Sequence, residues 1–133
     1  MTPTASPPMT PAPLQERIAQ ARRWYWQRIS AMVLALCVVL HLAGMVWAVR
    51  GGLTAAEILA RTQGNMLFAA FYAVFVGACA VHVPIGLAAI AREWWGWPAP
   101  RATAFSRAAA LVLLGLGLSA VWGVYAPGAA AGP

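Results

Sequence analysis

The sequence contains no lysine, no aspartate and only three glutamates, against nine arginines in 133 residues. Charged residues make up 9% of the chain, whereas soluble domains contain about 25%. A chain this short and this poor in charge cannot cover a soluble surface with polar groups, so the composition predicts an integral membrane protein. The arginines stand beside apolar runs and form no basic patch, which favours membrane topology over nucleic-acid binding.

Cysteine is equally scarce. Cys37 and Cys79 both lie inside apolar runs, where cysteine usually acts as a small hydrophobe. A disulfide between them is the less favoured alternative. Because the chain has no CxxC or CxxCH motif, it gives no support for covalently attached c-type haem or for a zinc ribbon.

Three long apolar runs predict an all-α integral membrane protein, with three transmembrane helices in an antiparallel bundle. Each run is close to the roughly 20 residues that cross the hydrocarbon core. The predicted spans cover about residues 29–49, 66–91 and 108–125. We expect the membrane domain at 14–126, between a disordered N-terminal tail at 1–13 and a short C-terminal tail at 127–133.

The arginines predict the orientation, because cytoplasmic loops carry an excess of positive charge. Seven arginines flank the first span on its N-terminal side or lie between the second and third spans. These are Arg17, Arg22, Arg23, Arg28, Arg92, Arg101 and Arg107. Only Arg50 and Arg61 lie between the first and second spans. The distribution predicts a cytoplasmic N-terminus for a multi-pass protein of the bacterial inner membrane.

Three shorter segments border the spans. Residues 14–28, LQERIAQARRWYWQR, can form an amphipathic helix, with aromatic residues beside arginines as at a membrane interface. The loop GGLTAAEILARTQG predicts a short interfacial helix with Thr54 as its N-cap. The stretch WWGWPAP predicts a cytoplasmic turn in which Pro98 and Pro100 end the preceding helix.

The only two histidines, His41 and His82, lie inside the first and second spans. Counting from Arg28 and Arg92 at helical rise, His41 lies about 20 Å and His82 about 15 Å from the same membrane edge. We therefore expect similar depths on neighbouring helices. No carboxylate lies inside the spans to form a proton relay, whereas imidazole is the usual axial ligand of b-type haem.

Glycines accompany both histidines. Gly44 follows His41 by three residues and Gly86 follows His82 by four, so each glycine shares a helix face with its histidine. The resulting trough would let a flat macrocycle approach. The alternative is that the small residues serve helix packing, while each imidazole is hydrogen-bonded to a neighbouring helix.

Two stretches resemble the cytochrome b membrane-anchor subunit of succinate dehydrogenases and fumarate reductases. WQRISAMVLAL is similar to the start of that family's first span. HVPIGLAAIAREW is similar to its second-span motif, in which the haem-ligating His is followed by Gly after four residues and by Asp after eleven. His82, Gly86 and Glu93 stand at those places. The chain departs from the family at Gln27, where a His is usual, and at Trp24, where a quinone-contacting Ser is usual.

The resemblance implies a subunit that is not an enzyme by itself. It would bind haem b and pass electrons between a flavoprotein and iron–sulfur module on the cytoplasmic side and membrane quinone. His82 would ligate the haem iron, while Arg28 would contact quinone or a haem propionate and Ser30 would hydrogen-bond quinone. Alternatively, Arg28 is only an interface anchor and Ser30 only bonds its own helix backbone.

Two arrangements would allow His41 to ligate haem. His41 and His82 could clamp one haem within one chain. Otherwise each could serve a haem whose second ligand comes from a second copy or a second anchor subunit, since a first-span His resembles the two-haem branch of the family. The alternative function is a haem-free anchor or assembly subunit for a partner oxidoreductase, with both histidines as packing groups.

Overall fold

The computed structural model describes residues 13–52 and 54–126, and over these ranges the chain is helical with no strand. The helices are α1 Leu14–Val49, α2 Ala55–Thr62, α3 Met66–Glu93 and α4 Ala99–Tyr125. The all-α prediction is confirmed. The predicted tails at 1–13 and 127–133 lie outside the described residues, except for Pro13, which is the N-cap of α1.

Three of these helices, α1, α3 and α4, are long and apolar enough to cross a membrane. They contain 36, 28 and 27 residues. At 1.5 Å per residue each exceeds the roughly 30 Å hydrocarbon thickness. The prediction of a multi-pass membrane protein with three transmembrane helices is therefore confirmed.

The helices extend further than the predicted spans. Residues 14–28 continue without a break into the first span as part of α1. Helix α4 begins at Ala99, nine residues before the predicted span. Helix α3 runs through Pro84, which fits the tolerance of proline in transmembrane helices.

Helix α3 lies between α1 and α4 and packs against both of them. The backbone N–H of Gly64, just before α3, donates to the carbonyl of Tyr125 at the end of α4, at 2.9 Å. The start of α3 and the end of α4 therefore share one end of an antiparallel bundle, the end that holds α2. Seven arginines lie at the opposite end and two at this end. The cytoplasmic placement of the N-terminus stays a prediction.

The turn between α3 and α4 differs from the sequence prediction. Helix α3 already ends at Glu93, whereas Pro98 is the N-cap of α4 and Pro100 lies in its first turn. The prediction that these prolines end the preceding helix is wrong. Proline suits the first turn of a helix because the N–H that it lacks has no intrahelical partner there. The reversal occurs at Gly96, whose φ of +63° favours glycine.

The predicted interfacial helix and its N-cap are confirmed. Helix α2 begins after Thr54, which forms a capping box with Glu57. The Glu57 N–H donates to Thr54 Oγ1 at 3.3 Å, and the Thr54 N–H donates to Glu57 Oε2 at 2.9 Å. The Thr54 hydroxyl also donates to the carboxylate at 2.7 Å. These bonds, with a smaller contribution from Arg61, hold the pKa of the Glu57 carboxyl below its ordinary value of 4.5.

Replacing Thr54 by Ala is expected to loosen the first turn of α2, because the substitution removes the acceptor for the Glu57 amide. Loss of an N-cap costs about 1 kcal/mol, which corresponds to roughly fivefold faster amide exchange. Hydrogen exchange of the α2 peptide in lipid nanodiscs measures the effect. Thr103→Ala, an exposed threonine of α4, serves as the control. Equal exchange in Thr54→Ala and wild type would contradict the capping role.

Acid should weaken the same cap in the unmodified chain. The folded state lowers the Glu57 pKa, so its carboxylate stabilises α2 at pH values above 4.5. That contribution is lost as the pH falls through the lowered pKa. The chemical shift of the Glu57 amide, followed from pH 7 downwards, reports the midpoint, and a midpoint above 4.5 would contradict the assignment.

Close packing of α3 against α4 relies on small residues. Ala91 of α3 and Ala102 of α4 are fully buried, and Ser106 is nearly so. Gly117 of α4 faces Val76 of α3 so closely that an added Cβ would lie 2.6 Å from a Val76 methyl carbon. Most large apolar side chains of the three long helices are exposed, as expected for surfaces that lipid covers.

Candidate functional site

His82 faces α1 and meets Ser30. Ser30 Oγ lies 3.4 Å from His82 Nδ1, and the serine is only 5% exposed. The serine hydroxyl also lies 2.7 Å from the Trp26 carbonyl and 3.1 Å from the Gln27 carbonyl. The first of these is the short bond, so the hydroxyl proton belongs to the α1 backbone. Ser30 Oγ can therefore accept a hydrogen bond from His82 in the tautomer that has its proton on Nδ1.

Gln27 lies one turn before Ser30 and also faces α3. A Cβ added to Gly86 would lie 3.5 Å from Gln27 Nε2, an ordinary contact. Gln27 Oε1 is buried and accepts no hydrogen bond from residues 13–52 or 54–126. The α1–α3 interface beside His82 therefore holds one acceptor without a donor, next to the glycine that the sequence singles out.

Arg28 does not join this cluster. Two residues along a helix differ by about 200° in direction, so Arg28 lies nearly opposite to Ser30 and is exposed. Its guanidinium lies 4.8 Å from the ring centroid of Trp24, which is the arrangement of an interface cation–π pair. The structure brings Ser30, Gly86 and His82 together and leaves Arg28 on the outer surface of α1.

His41 lies in a different environment, near the end of the bundle that holds α2. Its ring contacts two aromatic rings of α3 edge-on, with centroid distances of 6.0 Å to Tyr72 and 6.2 Å to Phe75. A Cβ added to Gly44 would meet nothing within 4 Å among the described residues. The helix face at Gly44 is therefore open, and the trough predicted beside His41 stays a prediction.

A pocket of about 390 Å³ opens beside His41. It lies between α1, α2 and α3, and aromatic rings dominate its walls. Its lining comprises Leu40, His41, Gly44, Met45, Trp47, Ala48, Ile58, Arg61, Thr62, Phe68, Phe71 and Tyr72. This volume is within the range of small-molecule sites.

Arg61 holds α2 over this pocket. Its guanidinium donates to the carbonyls of Gly51 and Gly52 at 3.0 and 3.3 Å. It also lies 5.3 Å from the ring centroid of Trp47. These carbonyls follow the end of α1, so Arg61 ties α2 to the loop after α1. Arg61 is also the only charged residue in the lining of this pocket.

The two histidines lie at different depths, and the expectation of similar depth is wrong. His82 is level with Ser30, whereas His41 is eleven residues further along α1, or about 16 Å at helical rise. The expectation failed because Arg28 and Arg92 are not level: Gln27 lies opposite Gly86, so Arg92 projects further from the membrane. Each ring is held by neighbours at its own level, and the two cannot bind the same iron atom within one chain.

Neither histidine belongs to a cluster of metal-ligating side chains. Within residues 13–52 and 54–126, no group of three or more His, Cys, Asp and Glu residues could hold a metal ion. Cys37 is buried and Cys79 is partly buried, and both are free thiols.

The sequence did not reveal which residues contact His82 and which contact His41. It assigned Ser30 to quinone or to its own backbone, and it did not connect Ser30 with His82. It also missed Tyr72, Arg61 and Trp47 around His41. No sequence signal gives the register of α1 against α3, so pairs that are distant in sequence could not be found before the fold.

The fold and these two environments define a multi-pass helical membrane protein, with an imidazole–hydroxyl pair in one half and an aromatic pocket in the other. Comparisons with protein-family models, curated proteins and solved structures found no match to this chain.

Proposed function

We propose that this chain is a haem b-binding membrane anchor subunit. It would pass electrons between a flavoprotein and iron–sulfur module and membrane quinone, as in complexes of the succinate dehydrogenase and fumarate reductase type. The contact between Ser30 and His82 across the α1–α3 interface supports this proposal most directly.

The contact supports ligation because it favours one imidazole tautomer. With its proton on Nδ1 and directed at Ser30 Oγ, His82 would have the lone pair of Nε2 free for a metal. Metal-ligating histidines nearly always donate their other ring N–H to an oxygen in this way. The packing alternative also predicts a hydrogen bond from His82 to a neighbouring helix, so the haem content of the purified protein decides between the two.

His82 would bind the haem iron from one side, and Gly86 would leave room beside the ligand. A bound haem would supply a one-electron carrier within the membrane. His41 is the only other histidine of the chain and lies at another level. The second axial ligand at the His82 level would therefore come from a second copy of the chain or from a second anchor subunit.

His41 is the candidate ligand of a second haem. Gly44 leaves its helix face open, and the pocket beside it contains the cation of Arg61, which can pair with a carboxylate of the macrocycle. The two levels, separated by about 16 Å at helical rise, favour two separate sites over one clamp.

The two residues that the resemblance links to quinone, Ser30 and Arg28, lie in different environments. Ser30 is engaged with the Trp26 carbonyl and with His82, so we assign it to the imidazole and not to quinone. Arg28 is exposed beside Trp24 at the membrane interface. It could meet either a quinone oxygen or a lipid headgroup, and both would occur on the side with seven arginines.

That arginine-rich side would face the cytoplasm of a bacterium, with the chain in the inner membrane. The flavoprotein and iron–sulfur subunits would bind on the same side.

The absorption spectrum of the purified, haem-replete protein in detergent tests the proposal. A Soret band in near-stoichiometric amount, with b-type bands in the reduced spectrum, supports it. Protein that folds and carries no haem would overturn it and would leave the haem-free anchor as the function.

Replacing Gly44 by Ala separates a cofactor trough from plain helix packing. The added methyl group meets no described side chain, so the apoprotein should be as stable as wild type. A macrocycle lying against His41 would meet that methyl, and we expect haem content to fall by up to half if two haems bind. Haem per chain is measured by the pyridine haemochrome. Gly115→Ala, equally open and located on α4, is the matched control and should bind normally.

A further inference from the structure

The first two turns of α1, residues 14–21, extend beyond the reach of the lipid. Residues 29–49 are uncharged and cover about 31 Å, which already equals the hydrocarbon thickness. Leu14 lies about 22 Å before Ile29 along the helix, while the headgroup region adds only about 5–8 Å per side. Even at a tilt of about 40° the first turn of α1 would lie in water.

An apolar stripe runs along this projecting segment. Leu14, Ile18, Ala21 and Tyr25 recur at helical spacing and therefore share one face. Leu14 is 71% exposed and Ile18 is 59% exposed. At 100° per residue this face lies opposite to the face that contacts α3 through Gln27 and Ser30. Lipid covers the exposed apolar side chains inside the membrane, whereas Leu14 and Ile18 have no such cover.

Arginines border the stripe. Arg17 and Arg22 lie about 70° to either side of it in helical projection, and both are exposed. Glu16, the only acidic residue of the segment, lies on the opposite face. The stripe is therefore an apolar ridge between two positive edges, and an acidic counterpart would complement it.

We propose that this ridge, residues 14–25 of α1, binds a water-soluble protein subunit through an apolar groove edged by carboxylates. A membrane surface is the less suitable occupant. The helix continues from the span without a break and cannot turn its stripe onto the bilayer that it leaves. The inference rests on the proposed function in one respect: the soluble subunit is then part of the flavoprotein and iron–sulfur module.

Binding of that module, purified and free of its anchor, to the full chain in nanodiscs tests the inference. Ile18→Glu places a charge on the ridge and should weaken binding about 30-fold or more, as for a buried hot-spot residue. Gln20→Glu adds the same charge about 130° away from the ridge on the same exposed segment, and its Kd should stay within about twofold of wild type. Arg17→Gln combined with Arg22→Gln should reduce the salt dependence of binding.

The outcomes separate this inference from the proposed function. Equal weakening by both glutamates, or none by either, overturns the ridge as the binding site, while the Soret band reports on haem independently. Failure of the module to bind wild type overturns the ridge and the assignment of partner together.

A bimane label on Ile18→Cys, in a Cys37→Ala, Cys79→Ala background, identifies the occupant. It should be quenched by aqueous iodide in nanodiscs and protected when the module binds. Quenching by nitroxide lipids would place the ridge on the membrane and overturn the inference. Protection that is lost on deletion of residues 1–12 would show that the chain's own tail covers the ridge, and would also overturn it.

Discussion

Replacing His82 by Ala is expected to remove the haem that His82 ligates, and with it at least half of the Soret absorbance per chain. His82 is the only histidine at this level, since His41 lies about 16 Å further along the bundle, so no second imidazole can replace it. Replacing Ser30 by Ala should have a smaller effect in the same direction. It leaves the ligand and removes the acceptor of Nδ1–H, which typically costs about 10-fold to 100-fold in affinity.

Ser106→Ala is the matched control for the serine. Ser106 is as buried as Ser30, but it donates only to the Thr103 carbonyl of its own helix, so haem affinity should not change in Ser106→Ala.

Replacing His41 by Ala should leave the Soret absorbance of the haem that His82 ligates. Complete loss of haem in His41→Ala, with the helices intact by circular dichroism, would contradict two separate sites. Normal haem in His82→Ala would contradict the assignment of the ligand.

Replacing Gly117 by Ala is expected to destabilise the packing of α3 against α4 by about 1–3 kcal/mol. The new Cβ would lie 2.6 and 2.8 Å from the two Val76 methyl carbons and 3.2 Å from its Cβ. Valine is stiff at χ1, so the overlap can be relieved only if the helices move apart. Unfolding in mixed lipid and detergent micelles, followed by helical circular dichroism, measures the change.

Gly115→Ala and Gly123→Ala provide controls on the same helix. Neither added Cβ meets anything within 4 Å in the described part of the chain, so both variants should be at least as stable as wild type, because alanine favours the helix more than glycine does. Val76→Ala combined with Gly117→Ala should recover most of the loss, because it removes the two methyl groups that clash. Equal stability of Gly117→Ala and Gly115→Ala would show that the helices do not approach closely at this point.

The sequence predicted which segments form helices, but it did not predict how those helices are aligned against one another. Uninterrupted apolar runs required three long helices, and Thr54 followed by Glu57 three residues later is a cap that operates locally. The role of Pro98 was misjudged because proline can stand just after one helix or at the start of the next. Only the turn at Gly96, which no local pattern specifies, decides between them.

The residues of the candidate site could be predicted, but their positions relative to one another could not, because these depend on the alignment of the helices. His41, His82 and their glycines can be found from the rarity of imidazole in apolar sequence and from helical spacing. Their relative depth depends on how far α3 slides along α1, which is set by many small side-chain contacts. Counting from Arg28 and Arg92 assumed that both mark one plane, and α3 extends beyond that plane.

The position of α3 between α1 and α4 also fixes an order of assembly. Helix α1 leaves the ribosome first and already contains Ser30 and His41. His82 follows 52 residues after Ser30, so the contact between Ser30 and His82 cannot form until α3 has inserted. The short turn at 94–98 then brings α4 in beside α3, as the second arm of a helical hairpin. Release of the nascent chain before α3 would leave an inserted α1 whose Ser30 has no imidazole to accept from.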